Sequence, residues 1–438
     1  MAKRPNVVFV FADQMREDVL DDPQVSTPAM ARLAAEGVRF TNAVACAPVC
    51  SPYRASLLTG QYPLTTGVFV NDVRLGTQAP SIAHVFGAAG YRTAYIGKWH
   101  LDGTRRGGFT PPGPRRQGFD FWAVANCTHN YMHSHYYRDT PERLYWEGYD
   151  AIAQTRMAVE YIEEMRGQHQ PFCLFLSWGP PHNPYREAPA EYLARYDPAS
   201  IRLKPNCEDD SPENRAGLAG YYAHVTALDT CLARLRASVD DETIFVFTSD
   251  HGDMLGSHGV YRKQWPWAES ARVPFLLACP EQASEGLRVA APFNVTDVMP
   301  TLLELARLDV PETVEGVGFA RAVRGESLAA PDSAWITSVA PFAENAGPEW
   351  RGVKTERHTY VRTREGPWLL YDDEADPDQL ENLADRDDQA SLRATLDGMI
   401  TQWLDRTGDR FLSAADHLAH YGIEVGPHGS VPYTDGDV

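Results

Sequence analysis

Short, nearly continuous apolar runs recur through the first two-thirds of the chain. The first is Asn6-Val7-Val8-Phe9-Val10-Phe11-Ala12, which stops at Asp13. Phe172-Cys173-Leu174-Phe175-Leu176-Ser177-Trp178 and Thr243-Ile244-Phe245-Val246-Phe247-Thr248 follow, and Phe275-Leu276-Leu277-Ala278 makes a shorter fourth. Runs of this length, rich in β-branched and aromatic residues, predict strands buried on both faces. Alternation over 38–43 and the segment 92–97 predict two more strands. Helical patterns lie between them. Thr27-Pro28 suits N-cap and first helical position of a helix that stops at Gly37. Residues 51–59 read as a helix closed by Gly60, Ser81 opens another that closes at Gly90, and 151–166 and 217–239 are longer helices. Strands alternating with helices predict an α/β fold: a mostly parallel central sheet sandwiched by helices.

Around residue 330 the pattern changes. Ala329-Ala330-Pro331-Asp332 reads as a linker. Beyond it, short strands over 353–362 and 368–371 and a helix over 388–405 predict a smaller α+β subdomain with an antiparallel sheet. The expected domains are 1–330, catalytic, and 331–438. Residues 426–438, rich in Gly, Pro and Asp, read as a tail or a partner-contacting arm, which leaves a homo-oligomer open.

Charge narrows the function. The 438 residues carry 40 Lys+Arg against 59 Asp+Glu, a net charge of −19. That balance argues against gripping nucleic-acid phosphates or an anionic membrane surface. It does not exclude a small anion, because a site can be positive on a negative molecule. No run of about 18 apolar residues is present to span a membrane. The first apolar run is short for a signal peptide and lacks a cleavage site after it. The seven cysteines are odd in number and lack a CxxC pair, so no zinc or disulfide framework is visible. Cytoplasmic location is expected.

In an open α/β sheet, ligands bind beyond the carboxyl ends of the strands. Five predicted strand exits carry chemically capable residues: Asp13-Gln14, the stretch from Cys46 to Arg54, Lys98-Trp99-His100, Pro181-His182-Asn183, and Ser249-Asp250-His251-Gly252-Asp253. Asp13, Asp250 and His251 suit a metal, with helix capping and a core histidine as the bland alternatives. Cys50 precedes Ser51-Pro52, so it would face a helix N-terminus, which stabilises negative charge. Arg54 lies one turn on and is expected to clamp an oxyanion or to hold the nucleophile's oxygens. The alternative for Cys50 is a small buried hydrophobe. Lys98 and His100, two apart on an extended segment, would point to one side. Lys263 and His182 would complete a ring of donors, although Lys98, Lys263 and His182 each alone also fit a surface or structural role. Tyr131, Tyr136, Tyr137, Trp265 and Trp267, interleaved with His133 and His135, are expected to shape a leaving-group pocket or to be core aromatics.

Taken together these residues resemble a known family. Cys50-Ser51-Pro52-Tyr53-Arg54-Ala55-Ser56-Leu57-Leu58-Thr59-Gly60 resembles the sulfatase signature, whose core C-x-P-x-R marks a cysteine converted to Cα-formylglycine. Gly97-Lys98-Trp99-His100 resembles that family's second motif. The segment from Asn6 to Asp13, Pro181-His182, Ser249-Asp250-His251-Gly252 and Glu269-Ser270-Ala271-Arg272-Val273-Pro274 match further landmarks, over about residues 5–310. Trp368-Leu369-Leu370-Tyr371-Asp372 is a weaker match. The family is part of the alkaline phosphatase-like superfamily. Three positions depart from its pattern: Tyr53 replaces a small residue, Asp13-Gln14 a pair of aspartates, and Asp250-His251 an Asp-Asn pair. These variants resemble the choline-sulfatase and phosphonate monoester hydrolase branch.

The resemblance implies hydrolysis of a small sulfate monoester (aryl, sugar or alkyl) to an alcohol and inorganic sulfate. It implies one divalent metal, calcium foremost and manganese as the alternative, held by Asp13, Gln14, Asp250, His251 and modified Cys50. It also implies a formylglycine-generating maturase as partner. The hydrated aldehyde at position 50 would attack sulfur while Lys98 and Lys263 hold the ester oxygens. His182 or Lys263 would protonate the leaving group, and His100 would deprotonate the second hydroxyl. Arg54, Lys98 and Lys263 are expected to face the substrate together. Two other readings stay open: a phosphonate monoester or phosphodiester hydrolase on the same scaffold, and a metal- and sulfate-binding protein with an unmodified thiol.

Overall fold

The computed structural model describes residues 4–240, 242–279, 284–343 and 347–435. The first three residues and the last three of the expected tail lie outside the described residues. Eight strands form the main sheet: β1 Asn6–Asp13, β2 Val38–Phe40, β3 Arg92–Lys98, β4 Phe121–Ala125, β5 Phe172–Pro181, β6 Thr243–Ser249, β7 Phe275–Ala278 and β8 Leu287–Val289. Their spatial order is β8-β2-β7-β6-β1-β5-β3-β4. The run β6-β1-β5-β3-β4 is parallel throughout, whereas β7 is antiparallel to both β6 and β2. Along β1, Val7, Phe9 and Phe11 enter one apolar core, and Val8, Val10 and Ala12 enter the other. That is why the strand is apolar without interruption: neither face meets water.

The predicted helices are present. The helix α1 is Pro28–Glu36 and α2 is Cys50–Thr59, the latter closed by left-handed Gly60. Ser81 caps α3, Ile82–Ala88, in a reciprocal bond with His84. Asp150–Gln168 forms α4, and Pro212–Arg236 forms α5. The last starts earlier than its apolar pattern, because Ser211 accepts the Asn214 N–H and Pro212 takes the first position. The segment 38–43 does not stay one strand. Asn42 turns its side-chain amide to the carbonyls of Ala290 and Glu356, and Ala43–Val44 pairs instead with Phe293–Asn294.

Beyond residue 330 an antiparallel meander follows: β9 Ala334–Ser338, β10 Trp350–Lys354, β11 His358–Thr363 and β12 Gly366–Asp372. The strand β9 had no sequence signal distinct from the linker, and the expected strand over 353–362 is the hairpin of β10 and β11. Helix α6, Ala390–Thr407, packs on this sheet. Trp335, Val353, Tyr360, Leu370, Ile400 and Trp403 join the same core as Phe9 and Phe175, so the apolar interior is continuous across residue 330. Among the described residues no helix is long and apolar enough to cross a membrane.

Candidate active site

Register places the chemistry. Ala12 pairs with Ser249, Asp13 with Pro181, and Gly97 with Ser177. The residues at or just after these strand ends, Asp13, Asp250, His182 and Lys98, therefore leave the sheet at one edge. Gly97 makes this possible for Lys98: its φ is +101°, and a Cβ there would stand 2.0 Å from the Ser177 carbonyl oxygen. Helix α2 brings Cys50 to the same edge. Its Sγ lies 3.3 Å from His251 Nε2, 3.3 Å from Lys263 Nζ, 3.8 Å from Lys98 Nζ and 3.8 Å from Asp13 Oδ1. The Ser51 N–H at the start of α2 donates to Asn71 Oδ1 at 2.9 Å.

Two carboxylates form the floor. Asp13 Oδ2 accepts from Lys98 Nζ at 2.6 Å and from Arg54 at 3.0 Å; the same Arg54 nitrogen reaches Asp250 Oδ2 at 2.9 Å. Against burial, Lys98, Arg54 and Lys263 hold the Asp13 carboxyl well below its usual range. Asp250 moves the other way, raised by burial and by the neighbouring Asp13 charge. At Cys50, burial and Asp13 oppose ionisation, yet Lys263, Lys98 and His251 bring the thiol well below its usual value. The field at position 50 thus favours negative charge.

Arg54 does not face a substrate, contrary to the expectation from its helical spacing. Its other terminal nitrogen donates to the Lys98 carbonyl at 2.8 Å and to Ser177 Oγ at 2.7 Å, and the side chain is 1% exposed. The guanidinium also lies over the Phe11 ring. With two carboxylates packed together under Cys50, the arginine turns inward to neutralise them rather than outward to an oxyanion.

A second group of residues surrounds this floor. His182 directs Nδ1 at the Asn183 carbonyl (2.9 Å), so its Nε2 accepts from Lys263 Nζ at 2.7 Å. Burial, Lys263 and His129 keep His182 neutral, its pKa well below the ordinary histidine value. Lys263 also donates to Gln14 Oε1 at 3.1 Å. His100 holds Asp72 Oδ1 at 3.1 Å, and Arg106 grips the same carboxylate with two bonds of 2.8 and 2.7 Å. Although burial pulls it down, Cys127 and Asp72 raise His100 to about 10. Gln14 and His100 adopt left-handed backbones, φ 72° and 57°. Such conformations cost about 1–3 kcal/mol each and persist where surrounding structure fixes them.

Sequence reasoning missed Asp72, Arg106, Asn71 and Tyr185, which lie on loops with no periodicity to announce them. Asp253 stood at a predicted strand exit but was assigned no role. It accepts from Gln14 Nε2 at 2.5 Å and from the Leu255 and Arg262 amides, and the Tyr185 hydroxyl also donates to it.

A cavity of about 280 Å³ opens over the site. His100, His182 and Lys263 line one side; Phe342, Ser430, Val431 and Tyr433 line another. None of the aromatics expected to shape it does so. Tyr131 is buried with its hydroxyl on the Gly179 and Asn183 carbonyls, Tyr136 stacks on Trp146, and Tyr137 bonds Gly107. Trp265 and Trp267 pack together, with Trp267 against Trp368. His133 stacks on Tyr145, and His135 meets Tyr137 edge-on. The tail is likewise no outward arm over its described part. Thr434 exchanges backbone bonds with Thr104 and Arg106, and the Arg106 guanidinium lies 3.3 Å from the Tyr433 ring centre.

Asp13, Cys50, Asp250 and His251 offer donor atoms that all lie within 4.8 Å of one another. The set fits a divalent cation. Two buried carboxylates repel each other, and Asp250 lifts the basicity of His251 against burial. Both effects mark a place where positive charge is favoured. His251 Nδ1 is held at 2.9 Å by the Gly252 carbonyl, which leaves Nε2 directed into the cluster. Gln14 donates its backbone N–H to Asp250 Oδ1 at 3.0 Å, while its amide spans Lys263 and Asp253.

Comparison with known proteins gives the family. A family model described as Sulfatase matches residues 5–308, and one described as N-sulphoglucosamine sulphohydrolase, C-terminal, matches residues 256–405. The chain belongs to the sulfatase family, enzymes of the sulfuric ester hydrolase class. It is 40% identical to an ulvan-active sulfatase from Formosa agariphila, over 98% of this chain and 87% of that protein. It is 29% identical to a choline-sulfatase from Rhizobium meliloti, over 91% of this chain and 87% of that protein. The solved phosphonate monoester hydrolase from Silicibacter pomeroyi shares the fold with a TM-score of 0.77, at 22% identity over 94% of this chain and 97% of that one.

Proposed function

We propose that the protein hydrolyses a sulfate monoester to an alcohol and inorganic sulfate, with position 50 as the nucleophile. The observation that carries this reading is the set of nitrogens around Cys50 Sγ: Lys263 and His251 each at 3.3 Å and Lys98 at 3.8 Å. Converted to Cα-formylglycine by a maturase, position 50 supplies a hydrated aldehyde with one hydroxyl to attack sulfur and a second through which sulfate is expelled. Asp13, Asp250, His251, the oxygen at position 50 and Gln14 are the candidate ligands of one divalent metal, which when bound supplies Lewis-acid stabilisation. Calcium suits the two carboxylates. The imidazole of His251 favours manganese as the alternative.

The chain's own groups then take these roles. Lys98 and Lys263 neutralise the non-bridging oxygens of the ester. Lys263, oriented by neutral His182, protonates the leaving alkoxide. His100, fixed by Asp72, takes a proton from position 50. Arg54 bridges Asp13 and Asp250 from below and favours the ionised form of each. Residues 1–330 supply these groups, and residues 331–438 add the covering wall of the cavity. The substrate is a small aryl, sugar or alkyl sulfate; relatives active on ulvan and choline sulfate support that class. Seven free cysteines support a reducing compartment, the cytoplasm.

The same site suits a phosphonate monoester or phosphodiester, since each carries the same single charge. The Gln14 and His251 variants favour keeping this second reading. Steady-state kinetics on 4-nitrophenyl sulfate and on 4-nitrophenyl phenylphosphonate separate the two. A kcat/KM higher for the sulfate is expected; a clear preference for the phosphonate would transfer the assignment.

A further inference from the structure

The cations near the cavity divide into two kinds. Lys98 is paired with Asp13, Arg54 with Asp13 and Asp250, and Arg106 with Asp72. Each of these touches one of the protein's own carboxylates. Arg262 lines the same cavity but is different. Its NH1 donates to the neutral Tyr185 hydroxyl at 2.9 Å, its guanidinium lies 5.5 Å from the Tyr185 ring centre, and its side chain is linked to the Asp253 carboxylate through that hydroxyl rather than by a direct pair. Its backbone is fixed. The amide donates to Asp253 Oδ1 at 3.0 Å, and φ is 66°. It is also the chain neighbour of Lys263, whose Nζ reaches Cys50.

A sulfate monoester brings one negative charge, and Lys98, Lys263 and the metal site meet it. Arg262 is left over, partly buried and lining the cavity. A guanidinium presents a planar fork that suits a carboxylate or a sulfate with two parallel bonds. Beside it the cavity offers flat surfaces in Phe342 and Tyr433, the latter already stacked on Arg106. We propose that Arg262 binds a second oxyanion on the alcohol portion of the substrate, so that the natural ester is a ring-sized dianion rather than a simple monosulfate. This rests on the sulfatase reading above and adds the substrate class to it. The shared chemistry is an oxyanion; a carboxylate and a second sulfur oxyanion are its two sources.

Three aryl sulfates test it: 4-(carboxymethyl)phenyl sulfate, 4-(sulfomethyl)phenyl sulfate and the neutral 4-(carbamoylmethyl)phenyl sulfate. The methylene insulates the ring, so the three leaving groups are closely matched. At low ionic strength at least one acid is expected to exceed the amide in kcat/KM by about tenfold, as a charged hydrogen bond permits. Whichever acid leads identifies the source. The ratio of that acid to the amide should fall at least about fivefold in Arg262→Gln and be largely kept in Arg262→Lys, which retains the charge. Acids within about twofold of the amide, or a ratio undiminished in Arg262→Gln, would overturn the proposal. If none of the three turns over while 4-nitrophenyl sulfate does, the same conclusion follows. If 4-nitrophenyl sulfate also fails, the sulfatase reading itself is at fault.

Discussion

Lys263 stands 2.7 Å from His182, its ammonium donating to the imidazole Nε2. Because His182 Nδ1 is engaged by the Asn183 carbonyl, the imidazole is a neutral acceptor and the lysine carries the transferable proton. Loss of that donor should matter most when the leaving group is a poor one. Lys263→Ala is expected to slow an alkyl or sugar sulfate about 10²–10⁴-fold. It should slow 4-nitrophenyl sulfate much less, since nitrophenolate departs without protonation. Equal losses on both would remove Lys263 from the role of general acid.

His100 and Asp72 predict the pH profile. Asp72 and Cys127 favour protonated His100, with a pKa of about 10 in the fold against 6.5 in free histidine. For a proton acceptor this places the rising limb of activity on the alkaline side. Asp72→Asn removes a charge that favours the imidazolium, so the limb should move to lower pH by about one to two pH units. A limb that does not move would show that His100 is not the titrating base. The sign for stability is the opposite of the usual carboxylate case. The raised pKa contributes stability in full below about 6.5, and that contribution is lost as the pH climbs toward 10.

Arg54 gives a prediction that a substrate-clamping arginine would not. It bridges Asp13 and Asp250 at 3.0 and 2.9 Å, and all three are buried. Arg54→Gln leaves Asp250 without its arginine and Asp13 with Lys98 alone. Breaking a buried pair in this way costs about 3–5 kcal/mol. Thermal unfolding should show a fall of that order, with weakened metal affinity. A variant of normal melting temperature whose only defect is a raised KM would restore the substrate role.

Metal removal provides a further check. A chelator should abolish turnover and lower the melting temperature, since a ligand at 100 times its Kd stabilises by about 2.7 kcal/mol. Reconstitution with calcium or manganese, read by elemental analysis and activity, identifies the resident ion. Full turnover after exhaustive stripping would contradict the assignment of Asp13, Asp250 and His251 as ligands.

How much of this was legible in the sequence depends on what kind of signal each residue carried. Asp13 and Asp250 were visible because apolar runs buried on both faces end abruptly in carboxylates, and register then aligns those ends. Cys50 was visible because its neighbours Ser51 and Pro52 open a helix. Arg54 was found but misdirected: spacing puts it on the Cys50 face, while the energetics of two buried carboxylates turn it inward. Asp72 and Arg106 were hidden, because a salt bridge between two loops leaves no periodic trace. The aromatics from Tyr131 to Trp267 misled, since composition does not separate a core ring from a pocket ring. Tyr433 came to the cavity only through long-range backbone pairing of the tail with Thr104 and Arg106.

The central claim is that position 50 acts as formylglycine, and peptide mass spectrometry of protein co-produced with a maturase tests it most directly. Replacement of CH2SH by CHO makes the Cys50 peptide about 18 Da lighter. The account predicts that this lighter peptide rises in proportion to sulfate-ester turnover across preparations. A preparation that turns over sulfate esters while its Cys50 peptide keeps the full cysteine mass would contradict it.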